Sequence, residues 1–133
     1  MIIIKNKKLL LSLSVFLIAF LFTGCFTSPL TIDEAKLTSI VVLPATMEIT
    51  AGSSKTITSV TAHYDNSTSA GIALTACTYE SNNLTYVTVL NGVITVSGSC
   101  TGATAIITVS YTEDGLTKSD TVTVTVPAPA SGG

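Results

Sequence analysis

Between Ala103 and Val126, apolar and hydroxyl side chains alternate with a period of two, broken once by Glu113-Asp114-Gly115. Ala105, Ile107, Val109 and Tyr111 share one phase, against Thr104, Thr108 and Ser110 on the other. After the break, Val122, Val124 and Val126 alternate with threonines. Successive side chains of a strand point to opposite faces, so this pattern predicts two strands, each half in a core and half in water. The glycine-containing break predicts a hairpin turn.

Similar patterns run back through the chain. Leu37–Leu43 reads as a first strand stopped by Pro44, which has no N–H to give a ladder. Thr46–Thr50 reads as its short continuation, and Ala51-Gly52 as a turn. Lys55–Tyr64 reads as a second strand with a fault: Ile57 is on one phase, while Val60, Ala62 and Tyr64 are on the other. A β-bulge would reconcile them. Asp65–Gly71 is expected to be a loop. Ala76–Glu80 is expected to be a short strand with Cys77 and Tyr79 on one face, followed by a turn at Ser81-Asn82-Asn83. Leu84–Leu90, with Val87 and Val89 sharing a face, and Val93–Val96 flank Asn91-Gly92. That dipeptide is the strongest hairpin signal present, because both central positions of the turn want φ > 0. Ser97–Gly102 is a loop holding Cys100, and Pro127–Gly133 reads as a frayed tail.

Seven or eight short strands at spacings near ten residues predict an all-β domain, a β-sandwich. No stretch after Phe22 has a helical period long enough for a bundle.

The first 24 residues are of another kind. Lys5, Lys7 and Lys8 precede Leu9–Phe22, a run of 14 residues that is apolar except for Ser12 and Ser14. Spanning hydrocarbon takes about 20 residues, so the run fits a secretory signal better than a membrane helix. Leu21-Phe22-Thr23-Gly24-Cys25 resembles a bacterial lipobox, in which a small residue precedes a cysteine that becomes lipidated. Phe22 stands where leucine is commonest, and looser versions of this kind resemble those of spirochaete lipoproteins. The resemblance implies cleavage after Gly24, acylation of Cys25 with fatty acids such as palmitate, and a tether over residues 25–36. One acyl chain holds a protein only marginally, whereas two or three hold it effectively for good.

Removal of residues 1–24 would leave 109 residues, one domain's worth, with Lys36, Lys55 and Lys118 against eight acids and no arginine. Such a chain has no basic footprint for nucleic acid.

From Leu37 to Val126 the order and spacing of motifs resemble the bacterial Ig-like group 2 family. The residues that carry this are Thr38–Pro44, Ala51-Gly52-Ser53-Ser54, Tyr79–Asn83 with Val87-Thr88-Val89, Asn91–Val96, Gly102–Ile106 and Thr121–Val126. Tyr79 replaces the family's usual tryptophan, and the loop before Cys77 and the stretch between Gly92 and Gly102 look lengthened. The resemblance implies an Ig-like sandwich of Greek-key type over residues 37–126. The family occurs in surface proteins, adhesins among them, and as a passive spacer, so it implies fold more than function.

Cys77 and Cys100 are the one paired feature. A small domain gains from a staple, and closing this loop would contribute about 3 kcal/mol in the chain-entropy picture. A disulfide is the expectation, with two separate buried thiols as the alternative. His63 is the single histidine and reads as an ordinary strand residue. Asp65-Asn66 and Glu113-Asp114-Gly115 read as turn chemistry in preference to a calcium site. Asn66-Ser67-Thr68 and Asn83-Leu84-Thr85 match the N-glycosylation pattern, which a chain rich in Ser and Thr meets by chance.

No nucleophile–base–acid set, phosphate loop or metal cluster stands out, so no enzymatic activity, metal or cofactor is expected. The expected role is that of a lipid-anchored envelope protein at the outer membrane, held to the membrane by its lipid. Its Ig-like domain would bind a protein or glycan in adhesion, or alternatively serve as a spacer or periplasmic interaction partner.

Overall fold

The structure, a computed structural model, describes residues 34–130 and residue 132. The expected signal segment, the lipidated Cys25 and most of the tether lie outside the described residues. Ala35–Gly133 forms a compact unit, and its fold is all-β.

Ten strands occur among the described residues: β1 (Leu37–Leu43), β2 (Thr46–Glu48), β3 (Ser54–Thr56), β4 (Ser59–Tyr64), β5 (Ser69–Ile72), β6 (Thr78–Ser81), β7 (Val87–Leu90), β8 (Val93–Val96), β9 (Thr104–Glu113) and β10 (Leu116–Thr125). One 3₁₀ turn, Leu74–Ala76, precedes β6. The strands make three sheets, ordered β1-β4-β5, β2-β10-β9-β6 and β3-β8-β7. All pairs are antiparallel except β2 with β10, which is parallel.

The sheets close on one core. Val122 and Val124 of β10 and Ala105, Ile107 and Val109 of β9 pack in a single cluster with Ile40 and Val42 of β1, Val60 and Ala62 of β4, and Ile94 and Val96 of β8. This is the arrangement of a sandwich, in which the alternating apolar side of each strand turns inward. A polar link joins β1 to β10: Asp120 Oδ2 accepts a 2.8 Å hydrogen bond from the Val42 N–H, while Oδ1 accepts one from the Thr121 N–H.

Several elements depart from the sequence reading. The fault at Ile57 is a change of sheet, not a bulge. β3 pairs with β8 and β4 with β1, and Ile57 and Thr58 bridge them by donating their N–H groups to Gly92 C=O and Leu43 C=O. Ile57 and Val60 are both buried because the chain changes partners between them. Residues Thr46–Glu48 likewise leave the sheet of β1 to run parallel to β10. Part of the expected Asp65–Gly71 loop is strand β5, paired to β4. The turn before it is held by Asn66, whose Oδ1 accepts from the Thr68 N–H at 3.0 Å and the Thr68 hydroxyl at 2.6 Å. β7 is shorter than expected, since a turn occupies residues 84–86.

Both predicted hairpins form as read. Asn91 and Gly92 have φ of 48° and 81°, and Asp114 and Gly115 have 48° and 75°. Two-residue turns with both central φ positive match the twist of the strands they join.

Candidate functional site

Three places on the unit gather polar or exposed chemistry. The broadest is the outer face of the four-stranded sheet. Because Val122 and Val124 face inward, the alternate residues of β10 face out, and each is set against a hydroxyl or an isoleucine of β9. The register pairs Thr125 with Thr104, Thr123 with Ile106, Thr121 with Thr108, Ser119 with Ser110 and Thr117 with Thr112. β6 adds Thr78 opposite Ser110 and Glu80 opposite Thr108, and β2 adds Thr46 opposite Thr123 and Glu48 opposite Thr125. Two of the cross-strand hydroxyl pairs are hydrogen-bonded, Ser110–Ser119 and Thr112–Thr117, each at 2.8 Å. Thr78, Tyr79, Glu80, Thr108 and Ser110 line a shallow groove of about 270 Å³ on this side. The face is a lattice of hydroxyl donors and acceptors with its carboxylates at the margins. Sequence alternation contains it: the period that turns Val122 and Val124 inward turns these hydroxyls outward.

The second place is one end of the sandwich, where β4, β6 and β9 bring together Tyr64, Tyr79, Tyr111 and Cys77. Tyr79 packs half-buried against the core, and its hydroxyl donates to Leu74 C=O at 2.7 Å. Burial, reinforced by neighbouring Cys77, pushes the Tyr79 phenol up to about 12. Burial likewise raises the Cys77 thiol, against a smaller opposing effect of its contact with Tyr79. The Tyr111 hydroxyl donates to Glu113 Oε1 at 3.2 Å. Tyr64 and Tyr111 are both raised, by burial first and then by the Glu113 carboxylate. A phenol held protonated in this way is a structural donor, not a base at neutral pH.

The expected Cys77–Cys100 disulfide is absent: both are free, buried thiols. The ladder explains why. Cys77 immediately precedes Thr78, which pairs with Ser110 near the far end of β9, whereas Cys100 precedes Thr104 at its start. From Thr104 to Ser110 is about 20 Å of strand, and a disulfide needs Cα atoms within about 7 Å. Each thiol instead fills its own part of the core as a small apolar group.

His63 lies in β4, between Ser39 of β1 and Ser69 of β5. The acidic turns are used locally: Asp65 Oδ1 accepts from the Lys36 N–H at 2.9 Å, and Glu113 serves Tyr111. No group of three or more His, Cys, Asp or Glu that could hold a metal ion occurs among the described residues.

The third place is the β7–β8 hairpin, whose turn is legible at Asn91-Gly92 but whose exposed apolar side chains are not. Leu84 (68% exposed), Leu90 (73%), Tyr86 and Val93 (39% each) stand open to solvent there. A groove of about 520 Å³ runs along Thr88, Val89, Leu90, Asn91, Val93 and Thr95.

Compared with known families and with curated proteins, the chain matches no family model and no curated sequence.

Proposed function

We propose that this chain is a lipid-anchored protein of the cell envelope, acylated at Cys25 and held at the outer membrane. It displays an Ig-like, Greek-key sandwich over residues 37–126 as a binding module for a protein or glycan. The anchor rests on the apolar run Leu9–Phe22 followed by Gly24-Cys25. The Greek-key reading draws on the way the chain leaves one sheet for another at β1–β2 and again at β3–β4.

The observation that carries the binding role is the hydroxyl lattice on the outer face of β2-β10-β9-β6. Cross-strand neighbours lie about 5 Å apart and alternate residues along a strand about 7 Å apart, so donors and acceptors recur on a regular grid. A surface of this kind makes many neutral hydrogen bonds, each worth about 1 kcal/mol or less net. That suits avid, repetitive contact with a hydroxyl-rich polymer better than capture of a small molecule. Many copies anchored in one membrane would add avidity.

The test is binding of the detergent-solubilised full chain to arrayed glycans and envelope proteins, beside a Thr108→Lys/Thr121→Lys variant. Saturable binding lost in the variant supports the reading. Binding that the variant retains moves the site elsewhere, and absence of any binding leaves the spacer role. The short tether, residues 25–36, favours that second reading, because extended it reaches only about 35 Å.

A further inference from the structure

Across the core from the hydroxyl lattice is a face of different chemistry. β3 passes into β4 within a few residues, and between them Ile57 and Thr58 donate to Gly92 C=O and Leu43 C=O. The sheets β1-β4-β5 and β3-β8-β7 therefore adjoin as one layer. Ile40 and Val42 of β1, Val60 and Ala62 of β4, and Ile94 and Val96 of β8 are buried, so their neighbours along each strand turn outward.

The outward side of this layer includes Val41, Leu43, Tyr86, Leu90 and Val93, all exposed. Hydroxyls separate them: Thr61 is opposite Val41, Ser59 opposite Leu43, Thr56 opposite Val93 and Thr95 opposite Thr88. No Asp, Glu, Lys or Arg takes an outward position on these strands, and His63 is the one basic side chain among them. Lys55 is opposite buried Ile94 and so belongs to the other phase. The acids lie elsewhere. Glu48 and Glu80 flank the hydroxyl face, Asp65 and Asp114 are in turns, Glu113 ends β9 and Asp120 is tied to the Val42 N–H. Exposed apolar side chains scattered singly mean little, but several on one uncharged face mark a contact surface.

We propose that this layer is the membrane-facing side of the domain, resting on the lipid surface to which Cys25 holds the chain and turning the hydroxyl lattice away from it. The inference rests on the proposed anchor. The tether, residues 25–36, passes directly into β1, whose outward side chains include Val41 and Leu43. Its reach of about 35 Å keeps the domain in the bilayer's immediate neighbourhood, at high effective concentration. Anionic lipid repels carboxylates, and in a unit whose acids outnumber its lysines the uncharged layer approaches with least repulsion. The apolar side chains are spread among hydroxyls and are not gathered round one buried anchor, as a protein hot spot would require. Leucine, valine and tyrosine can sink to headgroup level while the hydroxyls keep bonds to water and headgroups.

The chain has no tryptophan, so one introduced residue reports alone. Leu90→Trp and Ile106→Trp replace exposed aliphatic residues on opposite sides of the sandwich. The full chain, acylated in bacteria, is reconstituted into phosphatidylcholine–phosphatidylglycerol vesicles and recovered by flotation, with circular dichroism checking each variant's fold. When the bilayer carries brominated acyl chains, Leu90→Trp emission should shift to the blue and be mostly quenched. Ile106→Trp should keep aqueous emission and stay open to acrylamide. Tyr86→Trp should behave as Leu90→Trp does, and adding Thr88→Glu to Leu90→Trp should restore aqueous emission. A chain that floats with Leu90→Trp unquenched, with Ile106→Trp quenched as strongly, or with quenching that survives Thr88→Glu overturns the inference and leaves the anchor standing. A chain that does not float overturns both.

Discussion

Replacing glycines one at a time separates two costs that the fold combines at Gly92. Gly92 has φ of 81°, and a Cβ built there would lie 2.8 Å from Leu74 Cδ1, 3.2 Å from Leu74 Cβ and 3.3 Å from Leu74 Cγ. Gly115 has almost the same backbone, φ of 75°, but nothing within 4 Å of its Cβ position. Gly71 has neither a positive φ nor a neighbour within 4 Å. Gly115→Ala should therefore cost only the left-handed backbone penalty, about 1–2 kcal/mol. Gly92→Ala adds an overlap that turning the tip of Leu74 cannot relieve, because Leu74 Cβ is also too close. Leu74 packs against the core and its carbonyl holds the Tyr79 hydroxyl, so moving it disturbs both. Overpacking of this kind costs roughly 1–3 kcal/mol, which puts Gly92→Ala at about 2–5 kcal/mol. Gly71→Ala should be neutral or stabilising by up to about 1 kcal/mol, through the unfolded chain. Urea unfolding followed by circular dichroism gives the three values on one scale. If Gly92→Ala is no worse than Gly115→Ala, the packing of Leu74 beneath the β7–β8 turn is wrong.

Three further outcomes follow. Asp120→Ala removes the acceptor of the Val42 N–H and should cost about 1–3 kcal/mol in the same assay, with Asp120→Asn intermediate; an unchanged midpoint would mean the link between β1 and β10 carries no stability. Non-reducing mass spectrometry of the unfolded chain should find Cys77 and Cys100 both alkylated, and reductant should leave the melting temperature unchanged; a protected pair would restore the disulfide. The folded Tyr79 pKa, about 12, exceeds the ordinary 10, so its contribution is complete below pH 10 and is lost as pH climbs from 10 towards 12. Tyrosinate absorbance should show one phenol ionising late, and Tyr79→Phe should flatten the loss of stability across that window.

What could be read from the sequence was what local chemistry decides. Asn91-Gly92 and Asp114-Gly115 announce their turns because few other residues tolerate φ > 0 there. The inward phase of Ala105, Ile107, Val109, Val122 and Val124 follows from alternation alone. Misreadings came where a distant partner decides. The phase fault between Ile57 and Val60 fits a bulge equally well until β8 and β1 are known to lie on different sheets. Ser69–Ile72 has little strand propensity and becomes β5 because β4 offers it a ladder. Cys77 and Cys100 are close in sequence, and only the register shows that most of β9 separates them. The hydroxyl face was present as the silent half of a pattern whose apolar half drew attention. The exposure of Leu90 and Tyr86 depends on which face of the β3-β8-β7 sheet is left uncovered, which no local signal encodes.

The proposed lipid anchor is tested most directly by mass spectrometry of the protein extracted from bacterial membranes. The anchor predicts a first residue of Cys25 carrying a diacylglycerol thioether, on material recovered in the outer-membrane fraction. An unmodified Cys25, or a chain still beginning at Met1, would contradict it.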